Sequence, residues 1–172
     1  MYKKIIYIII SLLIFVISCS DDENTRETEE EGQVVTEEEQ ESEEEIDENS
    51  LSITEEILEL VNNHRSSIGL PILIRNETAD NLVIEHTNYM ISEGTIGHDN
   101  FSERSEQLQL EENAVSVGEN VAFGFPTAAT VVTGWLESPG HRENIEGNYA
   151  YTGIAAIQNT QGQYYYTQIF YR

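Results

Sequence analysis

Three side chains in the second half of the chain have the chemistry of a metal or acid–base site. His98 lies in a turn-rich stretch, and His141 lies just after a predicted helix. Between them, Glu119 places a carboxylate in a predicted strand. Two neutral imidazoles and one carboxylate suit zinc or a similar metal and leave a tetrahedral position open for water. Spacings of about twenty residues match no local metal motif, so surface or hydrogen-bonding histidines are the alternative interpretation.

The two other histidines are set aside. His64 and His86 fall on predicted helices, and His86 shares the apolar stripe of its helix. A histidine on such a stripe is more often a hydrogen-bonded core residue than a ligand. We therefore expect both rings to have structural roles.

Three helices are predicted to support these residues. Ser52 or Thr54 can cap the first, and the second covers residues 76–94, where apolar side chains recur at spacings of three and four. A third helix is predicted over residues 127–136, and Pro139 is expected to break the chain after it.

The strands come late in the chain. Residues 151–158 and 163–171 are rich in β-forming side chains, and a turn at 159–162 joins them as a hairpin. Residues 115–123 are predicted to supply a further strand. Helices first and strands last predict an α+β domain, with helices packed on a small antiparallel sheet.

The composition indicates one acidic domain over residues 51–172. This part of the chain has sixteen acidic residues, five arginines and no lysine. It lacks the basic surface that nucleic acids require, so we expect no nucleic-acid partner. Cys19 is the sole cysteine of the sequence, which excludes an intramolecular disulfide.

The first residues predict export and a lipid anchor. Lys3 and Lys4 precede an apolar run of thirteen residues, 5–17, which is too short to cross a bilayer as a helix. A small residue, Ser18, then stands before Cys19, in a pattern that resembles a bacterial lipobox. We predict a signal peptide over residues 1–18 and acylation of Cys19. An uncleaved anchor or a plain secretion signal is the alternative.

An acidic tether is predicted between the anchor and the domain. Residues 21–50 contain sixteen acidic residues against one arginine and almost no large apolar side chains. Such a composition predicts disorder over residues 19–50. The acidic run 20–23 also resembles a signal that sends some Gram-negative lipoproteins to the outer face of the outer membrane. The predicted location is therefore extracytoplasmic, at the cell surface.

The domain as a whole resembles the CAP superfamily, also called SCP, of cysteine-rich secretory, venom-antigen and pathogenesis-related proteins. The resemblance covers residues 53–172 in order. The segments that carry it are His86-x-x-x-Met90, Gly97-His98-Asp99-Asn100-Phe101 with Arg104, Gly118-Glu119-Asn120-Val121-Ala122, Trp135-Leu136-Glu137-Ser138-Pro139-Gly140-His141-Arg142-Glu143-Asn144-Ile145, Gly153-Ile154-Ala155 and the tyrosine-rich strand ending in Phe170.

The resemblance implies an α-β-α sandwich with a central cleft. In that family two histidines and two acidic residues line the cleft, and some members bind zinc or magnesium there. His98, Glu119 and His141 match three of these positions. The fourth position, three places after the tryptophan, is Ser138 here, and the nearest acid is Glu137. One residue's difference on a helix rotates a side chain by about 100°, so Glu137 is expected to lie farther from the cleft than Glu119.

Other matching positions have expected supporting roles. Asn120 is expected to satisfy backbone groups beside the cleft, and Trp135 to fill core. Arg104 and Arg142 are expected to pair with carboxylates.

These expectations favour a non-enzymatic binding module anchored at the cell surface. Its acidic cleft can take a divalent metal, and its ligand is expected to be a lipid, a glycan or a protein. The alternative is a metal-assisted hydrolase that uses the same cleft to activate water. A serine route through Ser138 and His141 has no recognisable oxyanion-hole motif. A purely structural or adhesive role is the third possibility.

Overall fold

The computed structural model describes residues 51–172. The predicted signal peptide, the lipidated Cys19 and the tether 19–50 lie outside the described residues. Within residues 51–172, none of the helices is both long and apolar enough to span a membrane. The elements in chain order are α1 (Ile53–Ser67), β1 (Ile74–Arg75), α2 (Glu77–Glu93), α3 (Phe101–Glu112), β2 (Val117–Phe123), α4 (Ala128–Glu137), α5 (Pro139–Ile145), β3 (Tyr151–Gln158) and β4 (Tyr164–Tyr171).

The four strands form one sheet in the order β1-β3-β4-β2. β3 and β4 are the predicted hairpin, and β2 pairs antiparallel with β4 from Val117 opposite Tyr171 to Phe123 opposite Tyr165. The predicted α+β class is confirmed. The sheet is mixed rather than wholly antiparallel, because the two-residue β1 pairs in parallel with β3. A two-residue strand is too short to show periodicity in the sequence.

Helices cover both faces of the sheet and form the α-β-α sandwich. On one face, α1 and α4 contribute Ile57 and Trp135 to a core that also contains Tyr166 and Phe170 of β4. On the other face, Leu82 of α2 and Leu108 of α3 pack with Ala155 and Ile169. Successive side chains of a strand point to opposite faces of the sheet, so neighbouring residues such as Ile169 and Phe170 pack in different cores.

Capping side chains determine where the helices begin. Ser52 accepts a hydrogen bond from the backbone of Glu55, whose side chain returns to Ser52, and this capping box starts α1. Asn76 caps α2, and Thr127 caps α4. The predicted first, second and third helices are thus α1, α2 and α4.

The break predicted at Pro139 is confirmed, since α4 ends at Glu137, but the short helix that follows it was not predicted. The chain does leave α4 there, with Ser138 in an extended conformation, but Pro139 then begins the short helix α5. Proline suits the first turn of a helix because its missing N–H would have no partner there. This helix brings His141 and Asn144 back towards the sheet.

A buried arginine joins α1 to the loop that follows α5. Arg65 is 1% exposed. Its guanidinium donates to the carbonyl oxygens of Pro71, Ile145, Gly147 and Tyr149, at 2.7–3.1 Å. Burial lowers the pKa of Arg65. This contact holds the 145–149 loop in place behind the candidate site.

Candidate functional site

A cleft of about 320 Å³ lies at the edge of the sheet, beside β2. Because β2 is an edge strand, helices from both layers can approach it: the 97–100 loop and α3 from one face, and α5 from the other. The residues that line the cleft are His98, Phe101, Val117, Gly118, Glu119 and Asn144.

Glu119 is the buried charge at the bottom of this cleft. Its side chain is 1% exposed. Arg104 donates two parallel hydrogen bonds to this carboxylate, from Nε to Oε2 and from Nη2 to Oε1, both 2.8 Å long. Such a fork is the strongest pairing that an arginine makes with a carboxylate. The expectation that Arg104 pairs with a carboxylate is confirmed.

His98 makes a third contact with the same carboxylate. Its Nδ1 lies 2.9 Å from Glu119 Oε1, and its side chain is 51% exposed. An ionised carboxylate can only accept a hydrogen bond, so Nδ1 carries the proton. In the neutral ring, Nε2 is then left as an acceptor on an exposed side chain. The pair presents an oriented imidazole at the mouth of the cleft.

His86 supports this pair from inside the domain. It is buried, as expected for its place on the apolar stripe, and its Nε2 donates to the carbonyl of Gly97 at 2.9 Å. The same nitrogen lies 3.9 Å from Glu119 Oε1. Burial lowers the pKa of His86, and the nearby Arg104 charge lowers it further. A neutral His86 therefore fixes the backbone next to His98, in line with the structural role expected for it.

His141 lies beside the cleft rather than among its lining residues. It is half-buried on α5, and burial lowers its pKa, with a further contribution from the charge of His98. The two histidines are thus close enough to interact electrostatically. Asn144, about one turn further along α5, is the residue of this helix that lines the cleft.

Two asparagines tie α5 to the edge strand. Asn120 is fully buried, and its amide donates to the carbonyl of His141 at 3.0 Å, which is the backbone role expected for it. Asn144 Nδ2 donates to the backbone oxygen of Glu119 at 3.0 Å and to Asn120 Oδ1 at 2.9 Å. These contacts satisfy an outward-facing carbonyl of β2 and set the distance between α5 and the strand.

Gly118 shows how closely the cleft is packed. A Cβ atom at this position would lie 2.7 Å from the Tyr149 hydroxyl and 2.8 Å from Asn144 Oδ1. The two polar side chains occupy the space that any larger residue would need. Tyr149 and Asn144 were not predicted as site residues, although Asn144 belongs to a segment that carries the family resemblance.

The remaining predicted residues lie around the site. Trp135 is buried in the core, as expected, and its Nε1 donates to the carbonyl of Val121 at 3.4 Å. Glu137 is exposed at the end of α4, and Ser138 joins the two helices. Within residues 51–172, Arg142 does not pair with a carboxylate as expected: its guanidinium is exposed and donates to the carbonyl of Leu136.

The donor set does not fit a preformed metal centre. Among residues 51–172, no three histidine, aspartate or glutamate side chains are grouped so that they could hold an ion. Both oxygens of Glu119 are already bonded to Arg104, and one also contacts His98. A metal would have to displace the guanidinium. Zinc or magnesium binding at His98, Glu119 and His141 is untested as a prediction from the resemblance, and the contacts of Glu119 argue against it.

The fold and the cleft together define an α-β-α domain with a histidine–glutamate pair at the edge of its sheet. The chain belongs to the CAP family, the cysteine-rich secretory protein family, whose family model matches residues 58–170. The resemblance seen in the sequence is thus confirmed.

Two proteins of Bacillus subtilis (strain 168) are similar in sequence. The uncharacterized membrane protein YlbC is 29% identical over 120 residues, which are 67% of this chain and 33% of YlbC. The uncharacterized protein YkwD is 28% identical over 109 residues, which are 61% of this chain and 42% of YkwD. The chain thus matches less than half of the length of either relative.

Solved structures share the fold. An outer surface protein of Borrelia burgdorferi superimposes with a TM-score of 0.63 at 19% identity, over 71% of this chain and 96% of that protein. An extracellular protein with an SCP domain from Bacillus anthracis gives a TM-score of 0.60 at 27% identity, over 70% of this chain and 40% of that protein.

Proposed function

We propose that this chain is a lipid-anchored CAP domain, displayed at the cell surface, that acts as a non-enzymatic binding module. The observation that carries the proposal is the state of Glu119. Its carboxylate is buried and bonded to Arg104 and His98, so it is not available as a general base. A ligand at the cleft contacts the exposed His98 ring and Asn144, which both line it. A lipid, a glycan or a protein segment can bind there.

A metal-assisted hydrolase is the second candidate, and one observation favours it. The Glu119 carboxylate accepts a hydrogen bond from Nδ1 of the exposed His98. Such a contact orients an imidazole for proton transfer. This candidate also needs a metal or another activated nucleophile. For Glu119 to bind that metal, its carboxylate would have to release the Arg104 guanidinium.

Metal analysis of the purified chain separates the two candidates. After incubation with zinc or magnesium and removal of the excess, we expect well below one ion per chain, because Arg104 already neutralises Glu119. The wild type is compared with His98→Ala and His141→Ala, and His64→Ala serves as the control, since His64 pairs with Glu146 elsewhere. One ion per chain that is lost in both cleft variants and kept in the control would support the hydrolase.

The membrane anchor is tested independently of the cleft. Cys19→Ala should move the protein from the membrane fraction to the soluble fraction, because two or three acyl chains supply the proposed attachment. Ser42→Ala, in the proposed tether, is the matched control and should stay with the membrane. A Cys19→Ala protein that has lost its signal peptide and still sediments with membranes would show that another feature anchors it.

The anchor proposal rests on the signal-like start of the sequence. The similar structures from Borrelia burgdorferi and Bacillus anthracis, an outer surface protein and an extracellular protein, support the location. An excess of acidic over basic residues in 51–172 makes the domain repel anionic headgroups and nucleic acids. Because the domain itself would not adhere to such headgroups, the proposed attachment is through lipid on Cys19, with the acidic tether separating the domain from the membrane surface.

A further inference from the structure

A second cavity, of about 510 Å³, lies at the other end of β2. The His98 cleft contacts the first residues of this strand, whereas the second cavity contacts its last residue, Phe123. Phe123 lies four positions after Glu119 along the strand, a distance of about 13 Å. The cavity lies between the C-terminal end of α2, the end of β2 and the β3–β4 turn. Its volume falls within the roughly 300–1,000 Å³ range of small-molecule sites.

Two aromatic rings form part of the lining of this cavity. The rings of Phe123 and Tyr165 lie 4.5 Å apart between centroids, with a tilt of 49°. Tyr165 is buried against Met90 and Val121, while Phe123 is 39% exposed. The exposed ring is therefore held in place by a buried one. It offers an apolar surface to a ligand in the cavity.

The rim of the cavity is polar, and hydrogen bonds hold its backbone. Thr160, Gln161 and Gln163 are exposed there, on the turn between β3 and β4. The side chain of Asn159 holds that turn by accepting hydrogen bonds from the backbone N–H groups of Gln161 and Gln163, both at 3.0 Å. Each glutamine amide has two donor positions and an acceptor oxygen.

The cavity lining carries no formal charge. Its residues are glycine, threonine, asparagine, glutamine, isoleucine, phenylalanine and tyrosine. This is unexpected in a domain where acidic side chains outnumber arginines sixteen to five. A charged ligand would find no partner within the cavity. A purely apolar ligand would leave the amide rim desolvated without compensation.

We infer that this cavity binds a neutral glycan. The C–H face of a sugar ring packs on the Phe123 ring, and sugar hydroxyls, which both donate and accept, match the amides of Gln161 and Gln163. The site is separate from the His98 cleft and does not depend on its chemistry. It gives the surface-displayed domain a contact with uncharged polysaccharide.

The test uses the purified full chain and two neutral probes, chitotriose and maltotriose, with sialyllactose as the anionic comparison. Calorimetry or ligand-observed NMR should detect binding of at least one neutral sugar and weaker binding of sialyllactose. Phe123→Ala should weaken the affinity by about tenfold, the upper range for one aromatic contact. Gln161→Ala, on the exposed turn, should weaken it without affecting the fold.

Two controls locate the binding. Leu110→Ala removes an apolar side chain of α3 that is even more exposed than Phe123, and it should leave the affinity unchanged. His98→Ala should also leave it unchanged. The inference is overturned if neither neutral sugar binds at millimolar concentration, or if sialyllactose binds best. It is equally overturned if Phe123→Ala and Gln161→Ala bind like the wild type, or if His98→Ala abolishes binding.

Discussion

Arg104→Met is expected to lower the free energy of unfolding by about 3–5 kcal/mol, the cost of leaving one member of a buried ion pair without its partner. Arg104 and Glu119 are both almost fully buried, and two hydrogen bonds join them. Without the guanidinium, Glu119 keeps the hydrogen bond with His98 and the more distant His86 ring, at 3.9 Å. The measurement is urea denaturation of the variant and the wild type, followed by circular dichroism.

A double-mutant cycle shows whether the pair itself is responsible. The double variant Arg104→Met/Glu119→Gln leaves no buried charge without a partner. Its loss in free energy of unfolding should therefore be smaller than the sum of the losses in the two single variants. Arg142→Met is the control, because this arginine is exposed, and it should stay within about 0.5 kcal/mol of the wild type. Additive losses, or a nearly neutral Arg104→Met, would contradict the arrangement described here.

Much of the fold could be predicted because its main elements have strong local signals. The first two helices and α4 combine a capping side chain with apolar residues at helical spacing, and the β3–β4 hairpin has a clear turn between two β-rich runs. Helix α3 was missed, since Arg104 and Leu108 are its buried residues and the apolar Leu110 is exposed. With one apolar side chain buried, its sequence shows little amphipathic pattern.

The site was predictable in part. The family resemblance pointed to His98 and Glu119, which are in contact, and to His141, which lies beside them. Its metal interpretation depended on a free glutamate, and no local pattern shows that Arg104, fifteen residues away, occupies both oxygens. That contact depends on how the 97–100 loop brings α3 over the sheet. Long-range pairings of this kind come from tertiary packing, which motif spacing does not encode.

The same limit applies to the residues that hold the cleft in shape. The sequence shows Arg65 as one more charged residue near the end of an amphipathic helix. In the fold it is buried and reaches four carbonyl oxygens, three of which belong to the segment 145–149 after α5. That segment includes Tyr149, whose hydroxyl lies against Gly118 at the cleft. Arg65 is thus a positioning residue for the wall of the site.

Arg65→Ala is expected to destabilise the domain by about 3–5 kcal/mol, because four carbonyls lose a charged donor at once and a cavity replaces the buried side chain. Arg65→Lys should give a smaller loss, since an ammonium keeps the charge but cannot reach four acceptors in a planar fork. Unfolding by urea gives both values. Arg172→Ala, at the exposed C-terminal residue, is the control and should be near neutral.

Hydrogen exchange separates a local effect from a general loss of stability. In Arg65→Lys, the amides of residues 145–150 should exchange faster than those of α2, because the loop loses its anchor while the opposite layer keeps its packing. The amide of Ala150, which donates to the carbonyl of Tyr171, is the most informative probe. Equal acceleration across the whole domain would show that Arg65 stabilises the fold without a particular role at the cleft. Stability like the wild type in Arg65→Ala would mean that the four carbonyls find other partners, and the positioning role would be wrong.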